Sequence, residues 1–322
     1  MNSKLALYKI GRLVASVVPS GVARGIGGAA GEVFGRLPDY DGKKAVVASH
    51  MQRVLGRQLQ GPERDRLVAE VFASYGRYWA ESLRVSWLQE QDILRGVTTS
   101  GFEHVKNAVE EGRGLIIATP HLGSWEWGAA CLVRSGFPLT VAVEPLEPPE
   151  LFEWFAGFRR RLGMHVVPAG PGAGAAILRS LKRGSIVCLL SDRLVGDTSG
   201  VDVTFFGAKA RLPAGPVVLA LRSGAPLLAG ASLFGERRGS SHHLVFRPRL
   251  ELARTGRLRS DVQLGTQAVA AEIEELVRLA PTQWHLLQPN WPGDPSVHGA
   301  GEWARARAGE LRRRWTSGPA GR

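Results

Sequence analysis

The 322-residue chain has only two cysteines, Cys131 and Cys188, and both lie in apolar stretches. That scarcity excludes a disulfide framework and a cysteine-rich metal site, and the two thiols read as buried and structural. No H-E-x-x-H pattern surrounds His121, and His242-His243 has no cysteine or carboxylate at ligand spacing. No metal or other cofactor is therefore expected, and the His242-His243 pair reads as surface. No apolar run reaches the ~18–20 residues of a membrane-spanning helix. A secretory apolar core with a cleavage site is also missing, so the expected location is cytoplasmic. Gly170-Pro171-Gly172-Ala173-Gly174 lacks the Walker Lys-Ser pair. Ile177 falls where a G-x-G-x-x-G fingerprint needs its last glycine, so this stretch reads as a loop. There is no G-x-S-x-G elbow, and a serine acyl-enzyme through Ser124 is only a minor alternative.

Cationic residues are abundant. Forty-one Lys and Arg against 29 Asp and Glu give a net charge of +12. Such a chain seeks anionic partners: nucleic acid, an anionic membrane surface, or a phosphate-bearing small molecule. No helix-turn-helix, zinc finger or aromatic–basic motif is present, so nucleic acid is set aside. The hydrophobic fraction of 44% lies in the globular range.

The apolar spacing predicts helices first and strands later. Residues 4–18 place Leu7, Ile10, Val14 and Val17 on one face, with Lys9 and Arg12 elsewhere. Such a helix either packs on the core or lies in a membrane interface. Helices are also expected over 42–58 and 63–89, the latter with an aromatic stripe of Tyr75, Tyr78, Trp79 and Trp87. That stripe reads as core, with an apolar-tunnel lining as the alternative. From residue 100 strands and helices alternate. Strands are expected at 114–119, 139–143, 165–168, 185–191, 201–206, 226–233 and 243–251. Helices are expected at 102–111, 124–135, 149–162, 173–182, 213–223 and 261–279. The pattern predicts an α/β fold: a central sheet flanked by helices, with an N-terminal helical cap. The expected divisions are a membrane-interacting cap over 1–98, an α/β core over 99–297 and a basic, fraying tail over 298–322. Arg305, Arg307 and Arg312–Arg314 in that tail are either a solvated face or a contact for acidic headgroups.

The chemistry concentrates in Ala118-Thr119-Pro120-His121-Leu122-Gly123-Ser124-Trp125-Glu126. It follows the apolar run Leu115–Ala118, and Pro120 disfavours helix at the residue before it. His121 is thereby placed at a strand's carboxyl end, where ligands of open α/β sheets collect. Ser124 suits the cap of the next helix. A neutral imidazole can take a proton from an alcohol, and a carboxylate can orient it. Glu126, five residues on, is the candidate orienter of the candidate base His121.

His121-Leu122-Gly123-Ser124-Trp125-Glu126 resembles the H-x4-D/E signature of glycerolipid-type acyltransferases. Ser191-Asp192-Arg193, Val201–Gly207 and Pro213-Ala214-Gly215-Pro216 extend the likeness to the branch holding the lipid A and phosphatidylinositol mannoside acyltransferases. It covers roughly residues 5–292, with Glu where many relatives carry Asp. The resemblance implies a glycerolipid-acyltransferase-like sheet. It also implies transfer of a long-chain acyl group from acyl-CoA, as co-substrate, to a mannose hydroxyl of a phosphatidylinositol mannoside. A lipid A-type acceptor and a non-catalytic lipid-binding homologue stay open as alternatives. It implies peripheral attachment to the cytoplasmic face of an anionic cell membrane, and Arg159 as the arginine of the Arg159–Arg161 cluster that meets a phosphate. Asp192 and Arg193 follow an apolar strand, so they form either an ion pair closing the sheet or a pocket wall. Asp202 and Arg211 are further candidates for substrate contact.

Overall fold

The computed structural model describes residues 20–37, 40–145, 149–195, 200–235 and 241–295. The helix expected over 4–18 and the tail from 298 lie outside the described residues. Three helices come first: α1 (Ser20–Gly35), α2 (Asp41–Leu55) and α3 (Gly61–Val85). There follow α4 (Glu90–Leu94), β1 (Val97–Ser100), α5 (Phe102–Glu110) and β2 (Leu115–Thr119). Next are α6 (Trp125–Arg134), β3 (Leu139–Val143), α7 (Pro149–Arg161), β4 (His165–Pro168), α8 (Ala173–Lys182) and β5 (Ile186–Leu190). The hairpin β6 (Gly200–Phe205) and β7 (Ala208–Pro213) leads to α9 (Gly215–Ser223), β8 (Leu227–Phe234), β9 (His242–Phe246) and α10 (Leu258–Leu279).

Seven strands form one sheet in the order β1-β9-β8-β2-β5-β3-β4, parallel except between β8 and β9. The central strands are almost wholly apolar because both of their faces are covered. Along β2, Ile116 and Ala118 enter one core with α2, α3 and α10, while Leu115 and Ile117 enter a second with α5 and α6. This is the strand period of two expressed as two cores.

The first helix packs unusually close to α3. A Cβ on Gly31 would stand 2.1 Å from the carbonyl oxygen of Phe72, and one on Gly76 would stand 2.1 Å from that of Gly27. Only glycine permits that approach. The outer side of α1 leaves Val22, Ile26, Val33 and Phe34 each more than half exposed. Among the described residues no helix is long and apolar enough to cross a membrane.

Most expected elements are present within a few residues. The exceptions have local causes. The strand expected over 243–251 ends at Phe246, before the polar Arg247-Pro248-Arg249. Strands β1 and β7 were not anticipated, because Val-Thr-Thr-Ser and Ala-Lys-Ala-Arg-Leu-Pro carry little apolar signal. Helix α1 was also unanticipated, since glycine has low helix propensity and here serves packing.

Candidate active site

Strands β2 and β5 are parallel neighbours with Thr119 opposite Leu190. The chain leaves both strands at the same edge, and Ser191 N–H still donates to the Thr119 carbonyl at 2.9 Å. Two residues past each strand end therefore come side by side, namely His121 and Asp192. His121 Nδ1 lies 2.6 Å from Asp192 Oδ1. The His121 backbone N–H donates to Asp192 Oδ2 at 2.8 Å. The Trp284 indole N–H donates to that same oxygen, also at 2.8 Å.

Asp192 is fully buried. Burial opposes its ionisation, but the charge of His121 and the hydrogen bonds from His121 and Trp284 outweigh that and hold its carboxyl below the ordinary carboxylate value. A carboxylate accepts only, so Nδ1 carries the proton and Nε2 is the free acceptor of the neutral ring. Nε2 makes no hydrogen bond among the described residues.

The partner of His121 differs from expectation. Glu126 does not reach the imidazole. Its carboxylate is buried in α6 and accepts from the Arg159 guanidinium of α7. The reason lies in the turn. His121 and Glu126 are separated by Gly123 and the first residues of α6, which aim Glu126 toward α7. Parallel register meanwhile delivers Asp192 to the ring.

The turn itself is fixed by the segment after α10. Gly123 N–H donates to the Gln283 carbonyl at 2.9 Å, and His285 N–H donates to the His121 carbonyl at 2.8 Å. Gly123 has φ 59°, and a Cβ there would stand 2.2 Å from the Ser232 carbonyl oxygen. Ser124 occupies the cap position of α6, but its side chain makes no capping bond. Its hydroxyl is buried without a hydrogen-bond partner among the described residues. It is not presented as a nucleophile.

A second histidine adjoins the first. His285 is buried, with Nε2 2.9 Å from the Ser74 hydroxyl, among the rings of Tyr75, Tyr78, Trp125 and Phe234. Burial, and secondarily the charge of His121, push its pKa down to about 3, so it is neutral near pH 7. Trp125 bridges the region: its ring lies 5.4 Å edge-on from His121 and stacks at 3.8 Å on Tyr78. Burial, then the charge of Glu126, push the Tyr78 phenol well up. Tyr75, Tyr78 and Trp79 of the stripe thus pack beside the site, whereas Trp87, beyond the end of α3, is more than half exposed.

An apolar cleft with a free volume of about 80 Å³ lies between α6 and the sheet. Strands β9, β8, β2, β5 and β3 supply its floor, through Phe246, Gly230, Ile117, Cys188 and Val141 among others. Thr119, Trp125, Glu126 and Arg159 also line it, while His121 does not. The two thiols behave as structural groups: burial pushes Cys131 and Cys188 up to about 12.

The remaining expected residues separate into two places. Arg193 stays near this sheet edge, 3.6 Å from Glu144 and bonded to the Leu194 carbonyl. Asp202 and Arg211 face each other on the exposed β6–β7 hairpin at 3.1 Å and make no contact with the dyad, because the antiparallel register pairs them. Contrary to expectation, His242 is fully buried and bonds Glu81 at 2.8 Å. The sequence reading missed Trp284, His285 and Asn290. The only signal they offered is a Trp-His pair and an Asn-Trp pair in a short stretch after the last helix. No group of metal-binding side chains occurs among the described residues.

The family model for bacterial lipid A biosynthesis acyltransferases matches residues 4–292. A phosphatidylinositol mannoside acyltransferase of Mycolicibacterium smegmatis is 30% identical over 292 residues, which is 90% of this chain and 91% of that protein. One from Mycobacterium tuberculosis H37Rv is 33% identical over 237 residues, 72% of each chain. A lipid A biosynthesis acyltransferase of Haemophilus influenzae is 23% identical over 223 residues, 69% of this chain and 67% of that one. The chain belongs to the bacterial lipid A biosynthesis acyltransferase family.

Proposed function

We propose that the protein transfers a long-chain acyl group from acyl-CoA to a mannose hydroxyl of a phosphatidylinositol mannoside. The observation that carries this reading is the His121–Asp192 dyad beside an apolar cleft at the sheet's carboxyl edge. Nε2 of His121 takes the hydroxyl proton as the alcohol oxygen attacks the thioester carbonyl. The new C–O bond forms, the C–S bond breaks, and the proton passes to the departing thiolate. General-base help of this kind contributes about 10²- to 10⁴-fold. Asp192 keeps the ring in the required tautomer and offsets its charge in the transition state.

The carbonyl end of the acyl chain enters the cleft, whose floor across β9, β8, β2, β5 and β3 is apolar. The free volume of about 80 Å³ takes only the first few carbons, so the rest of a long chain lies outside it. Glu126 and Arg159, which line the cleft, form a buried ion pair that fixes the polar wall near the thioester. Glu126 acts there and not on the imidazole. Arg193, at the same edge beside Glu144, faces a phosphate of a substrate, while Asp202 and Arg211 lie on the exposed hairpin away from the dyad. The mannosylated acceptor is the one for which the mycobacterial relatives, phosphatidylinositol mannoside acyltransferases, are named. The net charge of +12 and the apolar outer side of α1 support peripheral attachment to the anionic inner face of the cell membrane, with residues 1–98 as the attaching cap.

The test is incubation with isotope-labelled palmitoyl-CoA and a panel of lipids, read by mass spectrometry. Label on a mannosylated phosphatidylinositol is the expected result. Label only on a lipid A precursor would move the acceptor to that class, and label on neither would end the reading.

A further inference from the structure

We propose that Trp284 is a positioning residue of the reaction: its indole N–H locks the Asp192 carboxylate in the rotamer that serves His121. This rests on the dyad of the proposed function. Asp192 Oδ2 holds two donors, the His121 backbone N–H and Trp284 Nε1, which leaves Oδ1 for the imidazole. Take the indole donor away and the carboxylate is free to turn about its χ2 bond, and Oδ1 loses its fixed aim.

Trp284 is built for that task from both sides. Its side chain is 1% exposed and wedged among Phe205, Phe206, Trp291 and His50. Its backbone bridges Leu122, with Gln283 and His285 bonded to Gly123 and His121 on either side. One residue thus ties the catalytic turn to the carboxylate. The Asp192 loop is held from the same segment, since Asn290 Nδ2 donates to the Asp192 carbonyl at 3.0 Å. Asn290 is itself fixed by Asp294, which also bonds His50. Trp284 does not line the cleft, so its effect reaches substrate only through the dyad.

The consequence is an electrostatic one with a sign. An N–H bonded to a carboxylate stabilises its charged form. Without it Asp192 is more basic and stabilises the imidazolium more strongly, so the dyad binds its proton more tightly. The other ionisable groups nearby are His50, which packs on the Trp284 ring and bonds Asp294, His285, the next residue in the chain, which burial keeps neutral, and Glu126, Arg159 and Tyr78 around Trp125. Of these only the His50 ring packs on the indole, and its Nε2 is held by Asp294.

Trp284→Phe removes the donor but also opens space in the core. Replacement of Trp284 by β-(3-benzothienyl)alanine, in which sulfur takes the place of N–H, keeps the shape. The measurement is the titration midpoint of the dyad by NMR of labelled histidine in substrate-free protein, assigned through His121→Ala. The expected result is a rise of about half a unit to one unit. With it goes a roughly tenfold to hundredfold loss of kcat at unchanged KM for both substrates. Trp291→Phe is the control, because Trp291 Nε1 donates to the Phe205 carbonyl in the same aromatic cluster. It should lower Tm and leave the midpoint in place. An unchanged midpoint in the sulfur variant, or an equal shift in Trp291→Phe, overturns the proposal. If the wild-type protein acylates no lipid, the functional reading fails while the titration still decides the role of Trp284.

Discussion

Replacing Asp192 by asparagine should cost far more activity than replacing Glu126, and the structure supplies the reason. Asparagine is nearly isosteric with aspartate, so the turn should keep its shape. Its amide has one acceptor oxygen and one donor NH2. The Oδ2 position faces two donors, the His121 N–H and Trp284 Nε1, so the amide oxygen belongs there. The NH2 then occupies the Oδ1 position, 2.6 Å from Nδ1. Nδ1 must become an acceptor, the ring proton moves to Nε2, and the atom that should take the alcohol proton already carries one. Orienter losses that impose the wrong tautomer lower kcat by about 10⁴-fold, or roughly 5 kcal/mol of barrier. The assay is steady-state acyl transfer from labelled palmitoyl-CoA, with circular dichroism to show that the fold persists. A folded Asp192→Asn enzyme within tenfold of wild type would refute the tautomer argument.

Other expectations follow from neighbouring contacts. Glu126→Gln leaves the largely buried Arg159 guanidinium without its counter-charge, which should cost about 3–5 kcal/mol of stability in urea unfolding. The double variant with Arg159→Met should recover part of that loss, and strict additivity would contradict the pairing. Stability should fall as pH drops from about 6.5 toward 3, because His285 stays neutral when folded but takes a proton when unfolded. His242, whose pKa burial also lowers, works in the same direction. His285→Phe should reduce proton uptake on unfolding near pH 5 by about one proton, measured from the slope of unfolding free energy against pH. An unchanged slope would show that the ring is charged in the folded protein. Gly31→Ala should force α1 away from the Phe72 carbonyl, lowering Tm and weakening sedimentation with anionic vesicles. Retained vesicle binding with a lowered Tm would separate α1 from membrane attachment.

The turn around His121 was legible because an apolar strand, a proline and a histidine come in that order, and each has a fixed structural effect. The partner of the imidazole was not, since it is chosen by strand register. Thr119 opposite Leu190 decides that Asp192 meets His121, and register between residues 71 apart leaves no trace in local spacing. Glu126 looked closer in sequence, but the axis of α6 carries it to Arg159. The placement of Asp202 and Arg211 away from the dyad has a related reason: a tight Phe206-Gly207 turn, with φ of 46° and 72°, folds them onto each other. The buried His242 misled because its partner, Glu81, comes from α3, which covers the sheet only in three dimensions.

Single-turnover mixing of the purified protein with labelled palmitoyl-CoA and a phosphatidylinositol mannoside tests the central claim most directly, compared between wild type and His121→Ala. Wild type should move the label to the lipid without labelled protein appearing, and the folded variant should slow that step by about 10³-fold or more. Transfer at an undiminished rate in the variant, or a labelled protein intermediate that forms without His121, would contradict the account.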